Sequence, residues 1–435
     1  MTVAYLTGPA LETVRTLEDA SVDLVACSPP FLALRDYNGV EGQWGSEADP
    51  ATFLDRLLEL AVECRRVLTP FGSLAFELGD TYSGSGGVAG EERVKERAGY
   101  GGAADRRDQF RSDGSRSNGR SGNGWPLAKS LTGVPTLFAW SLAYGRNLLN
   151  PTHEFQPWRV RNIIVWARSN PPVGGLGDKF RPATTYITVA TPSDKRWFDL
   201  DAVRTPTDRF DKGGRRGGNI EGTSGDATRW REGDTANLSG SNPAGAPPLD
   251  HWTDTYDGDH TWLVNSQGSN LAHYAMWPAK LAERLVLSMC PAEVCRTCGQ
   301  PRRRIVGPAE YAPSANYRGG SHDAMSTGER ADLNGRANQW HKDGKPNASV
   351  VRHAPTLGWT DCGHNNYRPG HVLDPFAGTG TTLHAAEAHG RDATGIDLDP
   401  ANLELVDRRR DEVRKQLLGT KPQVAGQLDL FGNPR

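Results

Sequence analysis

One nine-residue run constrains this 435-residue chain more than any other: Asp374-Pro375-Phe376-Ala377-Gly378-Thr379-Gly380-Thr381-Thr382. Val372-Leu373-Asp374 reads as the end of a buried strand, and Thr381-Thr382-Leu383 as the opening of a helix that runs through His389. A strand turning into a helix across two glycines lets the backbone approach a ligand and reach dihedrals that a Cβ forbids. The free N–H groups and positive potential of the helix start favour an anionic group there. Ala393-Thr394-Gly395-Ile396-Asp397 reads as the next strand and ends in an acid 17 residues after Gly380. In dinucleotide folds an acid so placed accepts ribose hydroxyls. The whole reads as an α/β unit.

A phosphate loop fits the turn less well, and a structural glycine turn or a nucleotide site stands as the alternative. No Lys follows Gly380, and Leu383 stands where the dinucleotide fingerprint requires Gly or Ala. An acid immediately before the turn repels pyrophosphate but welcomes a cationic ligand.

A second run lies far upstream. Val22-Asp23-Leu24-Val25-Ala26-Cys27 reads as a short buried strand that stops at Ser28-Pro29-Pro30-Phe31. Two prolines end the strand and stiffen the loop. Taken together, the two runs resemble the motifs of the DNA amino-methyltransferases, the N4-cytosine and N6-adenine enzymes. The upstream run resembles their catalytic loop and the downstream run their S-adenosylmethionine (SAM) loop. Catalytic loop first and cofactor loop last is the circularly permuted order of the β group.

The resemblance implies a permuted class I SAM-dependent methyltransferase fold, Rossmann-like, with a mixed seven-stranded sheet. It implies SAM bound by Asp374, Pro375, Phe376, Gly378, Gly380, Thr381 and Asp397. It implies that Ser28 and the Pro29 carbonyl, on a loop stiffened by Pro30, accept hydrogen bonds from the target amine while Phe31 stacks on the base. Stacking of that kind contributes roughly 1–3 kcal/mol per base and helps offset flipping the base out of the duplex. Within the family Ser-Pro-Pro is commoner among cytosine-N4 enzymes, so cytosine N4 is favoured over adenine N6. An RNA methyltransferase, or a non-catalytic DNA- or clamp-binding protein on the same fold, are the rival readings.

Supporting segments include Arg66-Val67-Leu68-Thr69-Pro70-Phe71-Gly72, and His273-Tyr274-Ala275-Met276-Trp277-Pro278 before an amphipathic helix over 272–287. Trp277 and Pro278 are expected to flank the methionine end of SAM, with a core tryptophan as the alternative. Near Gly8 the family often carries Gly-Asp; here Pro9 follows, and no adenine-ring contact is assigned.

The organisation read from these signals is a catalytic half over 1–204, a target-recognition region over 205–265, a SAM-binding half over 266–294 and 365–418, an insertion over 295–364, and a tail over 419–435. Helices are expected over 53–68, 131–144 and 400–417, and strands over 72–78, 160–166 and 186–190. Residues 83–124 are rich in Gly, Ser and Arg and nearly free of apolar side chains, which predicts a mobile loop.

Cys295-x-x-Cys298-Gly resembles a zinc knuckle, and Cys362-x-His364 offers the two remaining ligands of a tetrahedral ion. Cys27, Cys64 and Cys290 sit in apolar surroundings and read as core cysteines. In the tail, Gln427-Leu428-Asp429-Leu430-Phe431 resembles the peptide that docks on the DNA polymerase sliding clamp. The formal net charge of -2 means that any basic face for double-stranded DNA is local. No apolar run reaches the ~18 residues of a membrane span. Six cysteines on so long a chain fit a reducing cytoplasm, bacterial or phage-infected, better than a disulfide scaffold. No nuclease signature is visible, so any restriction endonuclease partner is a separate protein.

Overall fold

The computed structural model describes residues 1–34, 42–84, 122, 124–168, 180, 182–203, 250–253, 277–307, 310–313, 350–353 and 356–418. Most of the loop expected over 83–124, most of the region over 205–265, His273–Met276 and the tail from 419 lie outside them.

Three units lead into the sheet: β1 (Val3–Thr7), α1 (Ala10–Arg15) and β2 (Val22–Cys27). Then come α2 (Pro50–Val67), β3 (Leu68–Leu78), α3 (Val134–Tyr144), β4 (Arg159–Ala167), β5 (Thr184–Thr191) and the short β6 (His251–Thr253). After α4 (Ala279–Met289) lie short strands: β7 (Glu293–Cys295), β8 (Arg304–Val306), β9 (Glu310–Pro313), β10 (Val350–His353), β11 (Thr356–Trp359) and β12 (Tyr367–Pro369). The chain then closes with β13 (His371–Asp374), α5 (Thr381–Ala388), β14 (Asp392–Asp397) and α6 (Ala401–Leu418).

The main sheet runs β1-β14-β13-β2-β3-β5-β4-β6. The first five strands are parallel, and β5 is antiparallel to both neighbours. These are the seven strands of the expected mixed sheet, in class I methyltransferase order, with three-residue β6 added at the edge of β4. The permutation is visible in the pairing: β13, from near the C-terminus, lies beside β2, from near the N-terminus, with Leu373 opposite Val25.

Strand β2 explains why the sheet is covered twice. All six of its residues are buried. Val25 and Cys27 join the core under α1, α2 and α3, while Leu24 and Ala26 join the core under α4, α5 and α6. A period of two that is apolar on both faces is the signature of a doubly covered parallel strand.

Several boundaries differ from the sequence reading, each for a local reason. Helix α2 is capped by Asp49, whose carboxylate accepts from the Thr52 N–H at 2.8 Å, with Pro50 in the first turn. It ends at Val67, and β3 begins at once at Leu68, so Pro70 lies inside the strand. Helix α3 starts at Val134 rather than 131 because Gly133 takes a left-handed φ of 73°. Helix α4 starts at Ala279 because Pro278 is extended. Cys27, Cys64 and Cys290 are buried as expected. Among the described residues no helix is long and apolar enough to cross a membrane.

Candidate active site

Parallel pairing brings the two motifs together. Strands β2 and β13 point the same way and are neighbours, so the loops after Cys27 and Asp374 leave the sheet side by side. Trp44, downstream of the first loop, completes the junction by packing edge-on against Phe376 of the second, with ring centroids 5.1 Å apart.

The Gly loop is built around two acids. Asp374 is buried; its Oδ1 accepts from the Phe376 N–H at 3.0 Å, and the Thr382 hydroxyl donates to its carboxylate. Trp277 Nε1–H donates in turn to Thr382 Oγ1 at 3.1 Å. Trp277 is thus a core side chain with one polar edge turned to the loop. Burial, with Asp397 acting in the same direction, pushes the Asp374 carboxyl up to about 7.

Asp397 closes β14, next to β13. Its Oδ2 accepts from the Gly378 N–H at 2.9 Å, and its Oδ1 from the Asp399 N–H and the Asn402 side-chain amide, each at 2.9 Å. A carboxylate offers about four acceptor sites, so one remains for a ligand. Tyr5 on β1 donates to the Gly378 carbonyl at 2.7 Å, and burial beside Asp397 and Asp374 keeps its phenol protonated. Gly380, with φ 78°, turns the chain into α5; a Cβ there would also meet His384 and Val406.

The result is a loop with two carboxylates at the ends of adjacent strands and a helix N-terminus beside them. This set fits a ligand that carries a cation, a hydroxyl and a carboxylate, and disfavours a polyphosphate.

The upstream loop is held as tightly. Pro29 is buried, and Ser28, Pro30 and Phe31 are half-buried. The Phe31 ring lies on the backbone of Gly79, where a Cβ would come within 2.5 Å of it. Gly45 presses on the Phe31 carbonyl from the other side. Glu77, buried on β3, hydrogen-bonds Ser28 and accepts from Thr185 Oγ1 at 2.7 Å. Burial raises its carboxyl pKa despite these bonds and the nearby Arg168 charge.

Glu77 and Gly79 were not singled out in the sequence. An acid inside the apolar run Leu74-Ala75-Phe76-Glu77-Leu78 was the available signal for the first, since a buried acid requires partners.

Cys295 and Cys298 are brought together with Cys362 and His364, although 63 residues separate the two pairs: the ligating atoms all lie within 4.8 Å of one another. They sit away from the loops above, beyond the far end of α4.

Comparison with known proteins agrees with this layout. The family model described as DNA methylase, of the N6/N4 methyltransferases, matches residues 22–293 and 364–408. The chain belongs to that family. Both loops fall within the matched residues, while most of the insertion over 295–364 lies between them. Type II methyltransferase M.Cfr9I of Citrobacter freundii is 31% identical over 202 residues, covering 46% of this chain and 58% of the relative. M.SmaI of Serratia marcescens is 29% identical over 219 residues, covering 48% and 64%. The chain therefore spans under two thirds of the length of these relatives. Among solved structures, the cytosine-N4-specific PvuII DNA methyltransferase aligns with a TM-score of 0.45 at 12% identity, over 97% of this chain and 94% of that one. A DNA modification methylase from Thermus thermophilus, complexed with S-adenosyl-L-methionine, aligns with a TM-score of 0.40 at 18% identity, over 95% and 94%.

Proposed function

We propose that this chain is a SAM-dependent, site-specific DNA methyltransferase acting on an exocyclic amine of a flipped base, with cytosine N4 the favoured target and adenine N6 the alternative. The observation that carries the reading is the juxtaposition of the Ser28–Phe31 loop with the Asp374–Thr382 loop at the ends of paired strands, in a member of the DNA methylase family.

SAM supplies an electrophilic methyl group on a sulfonium. Asp374 would hold its α-ammonium, the α5 N-terminus its carboxylate, and Asp397 one ribose hydroxyl. With three protein donors already on Asp397, the expectation that it takes both hydroxyls narrows to one. Trp277 acts through Thr382, which it holds against Asp374.

The target amine is a weak nucleophile because its lone pair is spread into the ring. Acceptors at Ser28 Oγ and the Pro29 carbonyl draw its N–H bonds into a more tetrahedral arrangement and free the lone pair to attack. The loop is rigid beforehand, so these acceptors need no reorganisation at the moment of reaction. Glu77 fixes the Ser28 hydroxyl. As the C–N bond forms the methyl C–S bond breaks, S-adenosylhomocysteine is the leaving group, and the nitrogen, now acidic, loses its proton to solvent. Phe31, pressed on Gly79, presents a face for the flipped base.

Residues 205–265 supply target recognition in this reading, and a separate restriction endonuclease is the expected partner in the cell. Gln427–Phe431 is retained as a sliding-clamp peptide; it lies outside the described residues. A cytoplasmic location, in a bacterium or a phage-infected cell, accompanies the reading.

The test is transfer of labelled methyl from SAM to duplex DNA by the purified full chain. Wild-type protein is expected to label DNA, and Ser28→Ala to lose turnover while still binding S-adenosylhomocysteine. Unchanged turnover in Ser28→Ala overturns the assignment of the catalytic loop.

A further inference from the structure

We infer that Cys295, Cys298, Cys362 and His364 form a closed, structural zinc site that staples the two ends of the 295–364 insertion where β7 pairs with β12. The four side chains come from two segments. Cys295 ends β7, and a tight turn follows it, with the Gly299 N–H on the Cys295 carbonyl at 2.9 Å and Gly299 at φ 69°. Cys362 and His364 flank Gly363, at φ 80°. Strand β12 follows directly and pairs with β7, with Tyr367 opposite Cys295.

The spacing of the ligand atoms is that of a coordination sphere. Zn–S bonds of about 2.3 Å and Zn–N bonds of about 2.0–2.1 Å at tetrahedral angles put sulfur and nitrogen about 3.6 Å apart. Cys295 Sγ and His364 Nδ1 are 3.6 Å apart. All four ligand atoms fall within 4.8 Å of one another, so one ion reaches them together.

Backbone donors surround the sulfurs. The N–H groups of Thr297 and Cys298 point at Cys295 Sγ, that of Gln300 at Cys298 Sγ, and that of His364 at Cys362 Sγ. Cysteine binds metal as the thiolate, and these donors face its sulfur. Three thiolates and one imidazole fill a tetrahedron, so no position is left for water or substrate, and the site is structural.

Its place in the fold supports the same role. Trp277 meets the Gly loop at the start of α4, and Cys290 follows the helix end; eleven residues of helix separate them by about 16 Å. The cluster lies past that far end, at the side where β13 begins rather than where it reaches Asp374. It therefore holds the strand that carries the cofactor loop from behind. Closing a segment with 63 residues between Cys298 and Cys362 gives the ion a large loop entropy to remove from the unfolded chain.

The experiment is zinc analysis of the full chain, produced without a polyhistidine tag and dialysed against metal-free buffer, followed by titration with cobalt(II). The inference expects one zinc per chain. It expects cobalt to give tetrahedral ligand-field bands with thiolate charge transfer, and zinc to displace them. Cys362→Ser and His364→Ala should lower zinc affinity by about tenfold or more. His364→Cys, which restores a fourth ligand, should retain the ion; this variant separates ligation from a general loss of folding. A chain that binds neither metal with its thiols reduced, or that holds a disulfide between these cysteines as purified, overturns the site. None of these readouts depends on methyl transfer.

Discussion

The charge on Asp374 should govern cofactor affinity, and its burial places that control within the working pH range. The carboxyl is pushed up to about 7 in the free protein, so it is half protonated near neutrality. A ligand ammonium binds the carboxylate form. Affinity should be highest near pH ~8, where the carboxylate is ionised and the ligand amine still carries its proton, then fall about tenfold by pH 6 and about a hundredfold by pH 5, or roughly 2.7 kcal/mol at 1.36 kcal/mol per pH unit. Asp374→Asn keeps an acceptor for the Phe376 N–H but carries no charge. Its affinity should be weak and flat with pH. The assay is calorimetric titration with S-adenosylhomocysteine, which keeps the ammonium and does not react. For stability the sign is opposite. The fold holds the proton up to about 7, whereas the unfolded chain releases it near 3.8, so the free protein loses stability as pH rises between these values. Asp374→Asn should then be more stable than wild type at pH ~8 without ligand. A wild-type affinity that does not change between pH ~5 and ~8 refutes the proposed contact.

Three further substitutions test the surrounding structure. Gly79→Ala places a methyl within 2.5 Å of the Phe31 ring. It should cut turnover by about a hundredfold through a displaced ring, with S-adenosylhomocysteine affinity unchanged by calorimetry. Glu77→Ala removes the acceptor shared by Ser28 and Thr185 and should cost about 1–3 kcal/mol in urea unfolding, most of which Glu77→Gln should recover. Arg368→Ala leaves Asp23, a buried carboxylate that Arg368 Nη1 meets at 2.6 Å, with only the neutral donors of Thr69 and His371, and should cost about 3–5 kcal/mol by the same assay.

What could be read from the sequence follows from how local each signal is. The Asp374 loop was visible because glycine, proline and a helix start punctuate a short apolar strand within nine residues. The four proposed zinc ligands were visible as a set because Cys-x-x-Cys is itself a local pattern that calls for a second pair. Strand β1 and helix α1 were not assigned individually, since a five-residue strand with no fully buried residue and a six-residue helix leave little periodicity to detect. Glu77 was missed for a different reason. Its partners, Ser28 and Thr185, come from positions 49 residues before and 108 residues after it, and only the β2-β3-β5 pairing brings them together. Gly79 has the same character: its lack of a side chain acquires meaning only where Phe31 crosses it. The short strands β8 to β11 escaped because three or four residues are too few to establish a period.

The measurement that bears most directly on the central claim is nucleoside mass spectrometry of duplex DNA incubated with the full chain and SAM. The account predicts N4-methylcytosine, formed by wild-type protein and absent with Ser28→Ala. N6-methyladenine would keep the mechanism and discard the preference drawn from Ser28. Methyl groups on ring carbon, or on RNA but not on DNA, would contradict the account.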